Sequence, residues 1–271
     1  MINLFFILQM HTWQWREWQG LPYLTCSILT PWPHGFFTQQ FWPLPPHELT
    51  RVLQPQASTY RLKQVHGNVV LTPQEVNQYL TDFGDELALA DGLVTQEAQQ
   101  AVWVASADCT PVLIADAKTG KVAALHAGWR GTAARIVPQA IEKMLSHGSR
   151  LEDLRIAMGP AIAGEVYQVS VEVAIEIGSS ILPDHEPEEI VPTLQGLSDS
   201  PFLPDAEPGK IRLDVRRINV LQLEELGINS TQIAIAPYCT YQCPDHFFSY
   251  RRQREKKVQW SGIVSVELDG N

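Results

Sequence analysis

Two short apolar runs, residues 112–116 and 122–125, are separated by Ala117-Lys118-Thr119-Gly120-Lys121. A glycine-containing break of that length favours a hairpin with its turn near 118–119. Folding the chain back there brings Cys109, ahead of the first run, and His126, behind the second, to the same end of one hairpin. They are offset by about one to three rungs, on strands roughly 5 Å apart. A thiolate and an imidazole so placed can share one ion or one proton.

A third candidate lies upstream. The alternating run Tyr60-Arg61-Leu62-Lys63-Gln64-Val65 ends at His66-Gly67, which puts a histidine at a chain break. His66, Cys109 and His126 together offer two neutral nitrogens and one thiolate, a set suited to zinc with an open fourth position, the mark of a catalytic site. No local C-x-x-C or H-E-x-x-H pattern supports this. Taken singly, a buried cysteine is usually an inert small hydrophobe, and a histidine at a strand end a hydrogen-bonded surface residue. Asp108 beside Cys109, and glycines near both histidines that permit close backbone approach, favour a site. The same three residues also suit a nucleophilic hydrolase in which a histidine holds Cys109 as thiolate.

The chain has 271 residues, room for one large α/β domain or two small ones. Its formal charge of -10 and pI near 5.2 argue against a nucleic-acid-binding surface. Four cysteines, Cys26, Cys109, Cys239 and Cys243, in a chain this long without a convincing secretory signal read as reduced thiols. The apolar start at 2–8 lacks a basic flank and a cleavage site. Because Met10 follows it, residues 1–9 read as an upstream-start extension before a single domain at 10–271. No later run approaches the roughly 20 apolar residues of a membrane span, and the expected compartment is the cytoplasm.

Along the chain, a strand is expected near 23–29, and the proline-dense 30–46 reads mostly as loop. Asp91-Gly92 is a turn signal, with Asp91 as turn former. Apolar positions at helical spacing predict a helix over 132–146. Its start after Gly131, with Arg130 or Arg251, is a candidate cradle for phosphate. Strands are expected at 154–158, 233–236 and 258–268, and helices at 171–182, after Ser170, and at 219–226, before Gly227. Residues 183–210 hold six prolines and read as an exposed excursion. Cys239 and Cys243 are spaced C-x-x-x-C, a weak zinc-knuckle signal without a second pair.

The motifs Gln64-Val65-His66-Gly67, Ala90-Asp91-Gly92-Leu93-Val94-Thr95, Ala107-Asp108-Cys109-Thr110-Pro111-Val112-Leu113, His126-Ala127-Gly128-Trp129-Arg130-Gly131, Gly159-Pro160-Ala161-Ile162 and Phe248-Ser249-Tyr250-Arg251-Arg252 then occur in order. With them the chain resembles the purine nucleoside phosphorylase family formerly described as multicopper polyphenol oxidase, or laccase-domain, proteins. The resemblance implies an α/β (α+β) single domain of mixed β-sheets sandwiched between outer helices, similar to a bacterial toxin deamidase fold. It implies one zinc ion per chain on His66, Cys109 and His126. The implied activities are phosphorolysis of adenosine, inosine or guanosine, and of methylthioadenosine, to base and ribose 1-phosphate, and deamination of adenosine. Purine nucleosides and phosphate are the implied partners, with Gln64, Arg130 and Arg251 as substrate-binding candidates. Two segments depart from the family pattern: no arginine follows His34-Gly35-Phe36, and no cysteine precedes Val166-Tyr167-Gln168.

Multicopper oxidation does not fit the donor count. Several copper ions each need two or three imidazoles, and the chain has eight histidines, mostly scattered; one copper could still enter the site in vitro. The H-x-E and P-C-x-x-C pattern of nucleobase deaminases is also missing. The rival from another class is a metal-free cysteine hydrolase or amidase using Cys109 and a histidine base, with cell-wall precursors as one substrate class.

Overall fold

Alternate side chains of a strand point to opposite faces, so residues 110–116, buried throughout, need cover on both sides. That demand organises the computed structural model, which describes residues 11–84 and 86–268; the expected extension at 1–9 lies outside them. One six-stranded sheet runs β1 (Trp13–Trp18), β2 (Leu21–Cys26), β3 (His34–Phe37), β15 (Gln259–Val264), β7 (Gln100–Ser106), β4 (Ser58–Tyr60). A second runs β14 (Ile233–Ile235), β10 (Leu154–Met158), β8 (Thr110–Asp116), β9 (Val122–Ala127), β6 (Gly92–Val94), β5 (Val70–Leu71). A small third sheet joins β11 (Gln168–Ser170), β13 (Lys210–Leu213) and β12 (Phe202–Pro204). The helices are α1 (Pro46–Leu53), α2 (Pro73–Phe83), α3 (Trp129–Ala133), α4 (Ile136–Ser146), α5 (Val171–Gly178), α6 (Pro187–Gln195), α7 (Val215–Glu225) and α8 (Tyr250–Gln253).

The two large sheets pack face to face. Leu113, Ala115, Val122 and Ala124 point inward and meet Leu24, Phe36, Val102, Val104 and Ile263 of the first sheet. Val112, Ile114, Ala123 and Leu125 point the other way, onto Ile136, Ile141 and Met144 of α4 and Leu223 of α7. On the far side α1 sets Leu49 against Phe37, Trp103 and Val264. The result is the expected mixed sheets between outer helices, each large apolar side chain contributing about 1.5–3 kcal/mol on burial.

The hairpin turn falls where the glycine-containing break predicts. Asp116 Oδ1 accepts the N–H groups of Lys118 and Thr119 at 2.8 and 3.1 Å, and Gly120 takes φ +74°, a conformation glycine adopts at no steric cost. Other segments differ from expectation. The helix expected over 132–146 is two: α3 starts earlier, at Trp129, and Arg135 in the left-handed region separates it from α4. Pro138 explains the break, because a proline is tolerated in a helix's first turn but removes an internal bond further in. The Ala134 carbonyl, which a continuous helix would bond to residue 138, accepts Asn68 Nδ2 at 2.8 Å instead.

Within the proline-dense 30–46, the proline-free β3 is a buried strand between β2 and β15. The excursion at 183–210 is exposed over much of its length but carries α6 and β12. Its Ile190, Leu194 and Phe202 close a small core with Ile177 and Leu213. No helix among the described residues is long and apolar enough to cross a membrane.

Candidate metal centre

The β8–β9 register pairs Pro111 with His126 and Thr110 with Ala127, so Cys109 stands just beyond the rung that holds His126. His66 arrives from the loop between β4 and β5, held at φ +62°. The ligand atoms of His66, Cys109 and His126 all lie within 4.8 Å of one another, and the two imidazole rings are 4.8 Å apart at 78°. Exposure is graded across the cluster: His126 is buried, Cys109 half-buried and His66 exposed. Two glycines permit the approach. A Cβ on Gly128 would sit 2.9 Å from Cys109 Sγ, and one on Gly131 would sit 2.7 Å from the Gly67 carbonyl oxygen.

Asp91, expected to be a turn former, is wholly buried and ties the cluster together. Its Oδ1 lies 2.8 Å from His126 Nδ1 and accepts the His66 N–H at 2.9 Å. Its Oδ2 accepts the N–H groups of Val65 and Gly67 at 3.0 and 2.8 Å. Burial alone would raise the carboxyl's pKa, but the His126 contact and the backbone donors prevail and lower it. Sequence reasoning missed this role because Asp-Gly is also an ordinary turn signal, and these partners are distant along the chain.

The thiol and the imidazole perturb one another. Burial would raise the Cys109 pKa, yet the charge and hydrogen bond of His126, then those of His66, lower it from 9.0 to about 6. Burial would lower that of His126, but the Cys109 charge and Asp91 raise it to about 9. A thiolate at neutral pH, two imidazoles and an exposed flank form a donor set that fits zinc. His126 gives up a proton when it becomes a ligand, so metal binding there is coupled to pH.

Around the cluster stand the residues expected to meet substrate. Gln64 pairs its carboxamide with the backbone of Ala105 in both directions, at 2.8 and 2.7 Å. Arg251 is held by its own N–H to Asp108 Oδ2 at 2.7 Å, by Nη1 to the Gln168 carbonyl at 2.8 Å, and over the Tyr167 ring at 4.7 Å. The Arg130 guanidinium lies 4.3 Å from the Trp129 ring centroid. Neither arginine forms an ion pair among the described residues. The helix start expected after Gly131 lies earlier, at Trp129, so the Thr132 N–H is already inside the helix and donates to the Gly128 carbonyl at 2.9 Å.

Tyr167 lies beside these residues, its ring under the Arg251 guanidinium. Burial, then the negative charges of Cys109 and Asp108, push its hydroxyl up to about 12 against the opposing pull of Arg251 and Arg130. The Cys239 and Cys243 pair plays no part in the cluster. Cys239 Sγ accepts the Ala163 N–H at 3.3 Å, and both thiols border a separate cavity of about 630 Å³. The cations there are already matched, Arg216 to Asp214 at 2.8 Å and Arg217 to Asp199 at 3.1 Å.

Known proteins share this arrangement of chain. A family model described as multi-copper polyphenol oxidoreductase laccase matches residues 47–265. A purine nucleoside phosphorylase of Synechocystis is 55% identical over 256 residues, 93% of this chain and 97% of the relative. An adenosine deaminase from an unknown prokaryotic organism is 30% identical over 192 residues, 70% of this chain and 68% of the relative. The crystal structure of YlmD from Geobacillus stearothermophilus superposes with a TM-score of 0.73 at 24% identity, covering 93% of this chain and 99% of that one, a likeness of fold.

Proposed function

We infer the activity from two facts together: this chain belongs to the multi-copper polyphenol oxidoreductase laccase family, and the relative most similar among those described is a purine nucleoside phosphorylase at 55% identity. The protein is a zinc-dependent purine nucleoside enzyme that cleaves adenosine, inosine, guanosine and methylthioadenosine with phosphate and deaminates adenosine. The observation that carries the reading is the convergence of His66, Cys109 and His126, with ligand atoms within 4.8 Å. Those three residues hold the zinc ion, one per chain; copper can occupy the same donors in vitro. Bound there, zinc supplies Lewis acidity to water or to a substrate oxygen.

The remaining work falls to the chain. Arg251, anchored by Asp108, Gln168 and Tyr167, and Arg130 bring two acid-free guanidinium groups to an otherwise acidic protein, a fit for phosphate. Tyr167 keeps its proton at neutral pH and offers a hydrogen-bond donor to substrate. Gln64 is the third proposed substrate contact, its carboxamide braced by the Ala105 backbone. The proposed compartment is the cytoplasm, whose reducing conditions keep thiols unpaired. With adenosine, release of adenine should require phosphate and release of inosine should not, as read by mass spectrometry of the products. An identical product mixture with and without phosphate contradicts the phosphorylase assignment. The depressed Cys109 pKa favours one rival, a metal-free cysteine hydrolase with a histidine base, and metal content separates the two.

A further inference from the structure

We infer that Asp91 is the positioning residue of the metal centre: one carboxylate fixes the His126 tautomer and holds the turn that presents His66. The inference rests on the metal reading above. An ionised carboxylate only accepts hydrogen bonds, so the 2.8 Å contact with Oδ1 requires the His126 proton on Nδ1 and leaves the Nε2 lone pair for a ligand. The same group accepts the consecutive N–H groups of Val65, His66 and Gly67, a bent segment whose middle residue sits at φ +62°. Sheet pairing sets where the carboxylate stands: Gly92, its neighbour, pairs with Leu125, the neighbour of His126, and the His126 N–H donates to the Asp91 carbonyl at 2.8 Å. Asparagine cannot replace it. An NH2 turned to His126 makes Nδ1 the acceptor and moves the ring proton to Nε2, while an NH2 turned to the loop faces N–H donors.

The test compares zinc affinity of wild type and Asp91→Asn by competition with a chromophoric chelator, beside circular dichroism and thermal unfolding of the metal-free proteins. The folded variant should bind zinc about 10–100-fold more weakly. A residue that only braces the fold would lower the unfolding temperature and leave the affinity of the folded protein unchanged, and that result overturns the inference. A second measurement needs no variant. Ring nitrogen-15 spectra of the zinc-loaded wild type should show the His126 proton on Nδ1; a proton on Nε2 overturns the inference even if Asp91→Asn does not fold. Wild type that binds no zinc sinks the metal reading and this inference with it, whereas equal binding by wild type and a folded Asp91→Asn sinks this inference alone.

Discussion

Two of the places among the described residues where a cysteine meets a histidine ring differ in what the ring nitrogens are doing. In the first sheet, His34 Nε2 accepts the Cys26 N–H at 2.9 Å and Nδ1 donates to the Trp32 carbonyl at 2.8 Å. Both ring nitrogens are consumed by backbone. Burial then lowers the His34 pKa and pushes the Cys26 thiol up to about 11, so both stay neutral and inert. At the ends of the central strands of the second sheet, Asp91 takes one nitrogen of His126 and leaves the other facing Cys109, and the thiol shifts the opposite way. Residue types alone do not make a site; the partner of the second nitrogen decides it.

The sharpest way to break this contrast is paired substitution. Cys109→Ser should abolish metal content and nucleoside turnover together, while Cys26→Ala should keep both and cost about 1 kcal/mol of stability. Elemental analysis, product assays and denaturant titration read the outcome, and loss of metal in Cys26→Ala would erase the distinction. Next in size is reactivity. In metal-free protein the folded pKa of Cys109 lies below 9.0, near 6, so its thiolate already dominates at neutral pH and fades only as the pH falls through about 6. Iodoacetamide labelling followed by peptide mass spectrometry should show that midpoint at Cys109, with Cys26 silent until strongly alkaline pH; equal profiles for the two thiols contradict the account.

The last contrast sets two crowded glycines side by side. Gly128→Ala would place its Cβ 2.9 Å from Cys109 Sγ and should weaken zinc affinity about tenfold, in the range for disturbing a ligand's support, with little change in unfolding. Gly262→Ala in the first sheet would place its Cβ 2.4 Å from the Trp103 ring. It should cost about 1–3 kcal/mol by overpacking with zinc affinity intact. Chelator competition and denaturant titration on both variants decide whether the two effects separate.

The sequence carried the hairpin because apolar runs and a glycine break are local signals, and the hairpin alone brought Cys109 and His126 to one end. His66 could be named from the glycine after it and from family resemblance. Asp91 could not be recognised as more than a turn former, because its partners Val65, His66, Gly67 and His126 join it only through sheet pairing. The split of the helix at Arg135 was foreshadowed by Pro138, whose missing N–H the apolar periodicity does not register. The prolines at 183–210 suggested loop, but Pro187 opens α6 instead, as proline at a first helical turn does.

The central claim is that His66, Cys109 and His126 hold the metal on which turnover depends. Elemental mass spectrometry of protein purified without added metal, with turnover measured on the same sample before and after chelation, tests it most directly. Near one zinc per chain, with activity lost on chelation and restored by zinc, is the predicted result. Fully active metal-free protein, silenced by a thiol reagent, would contradict it.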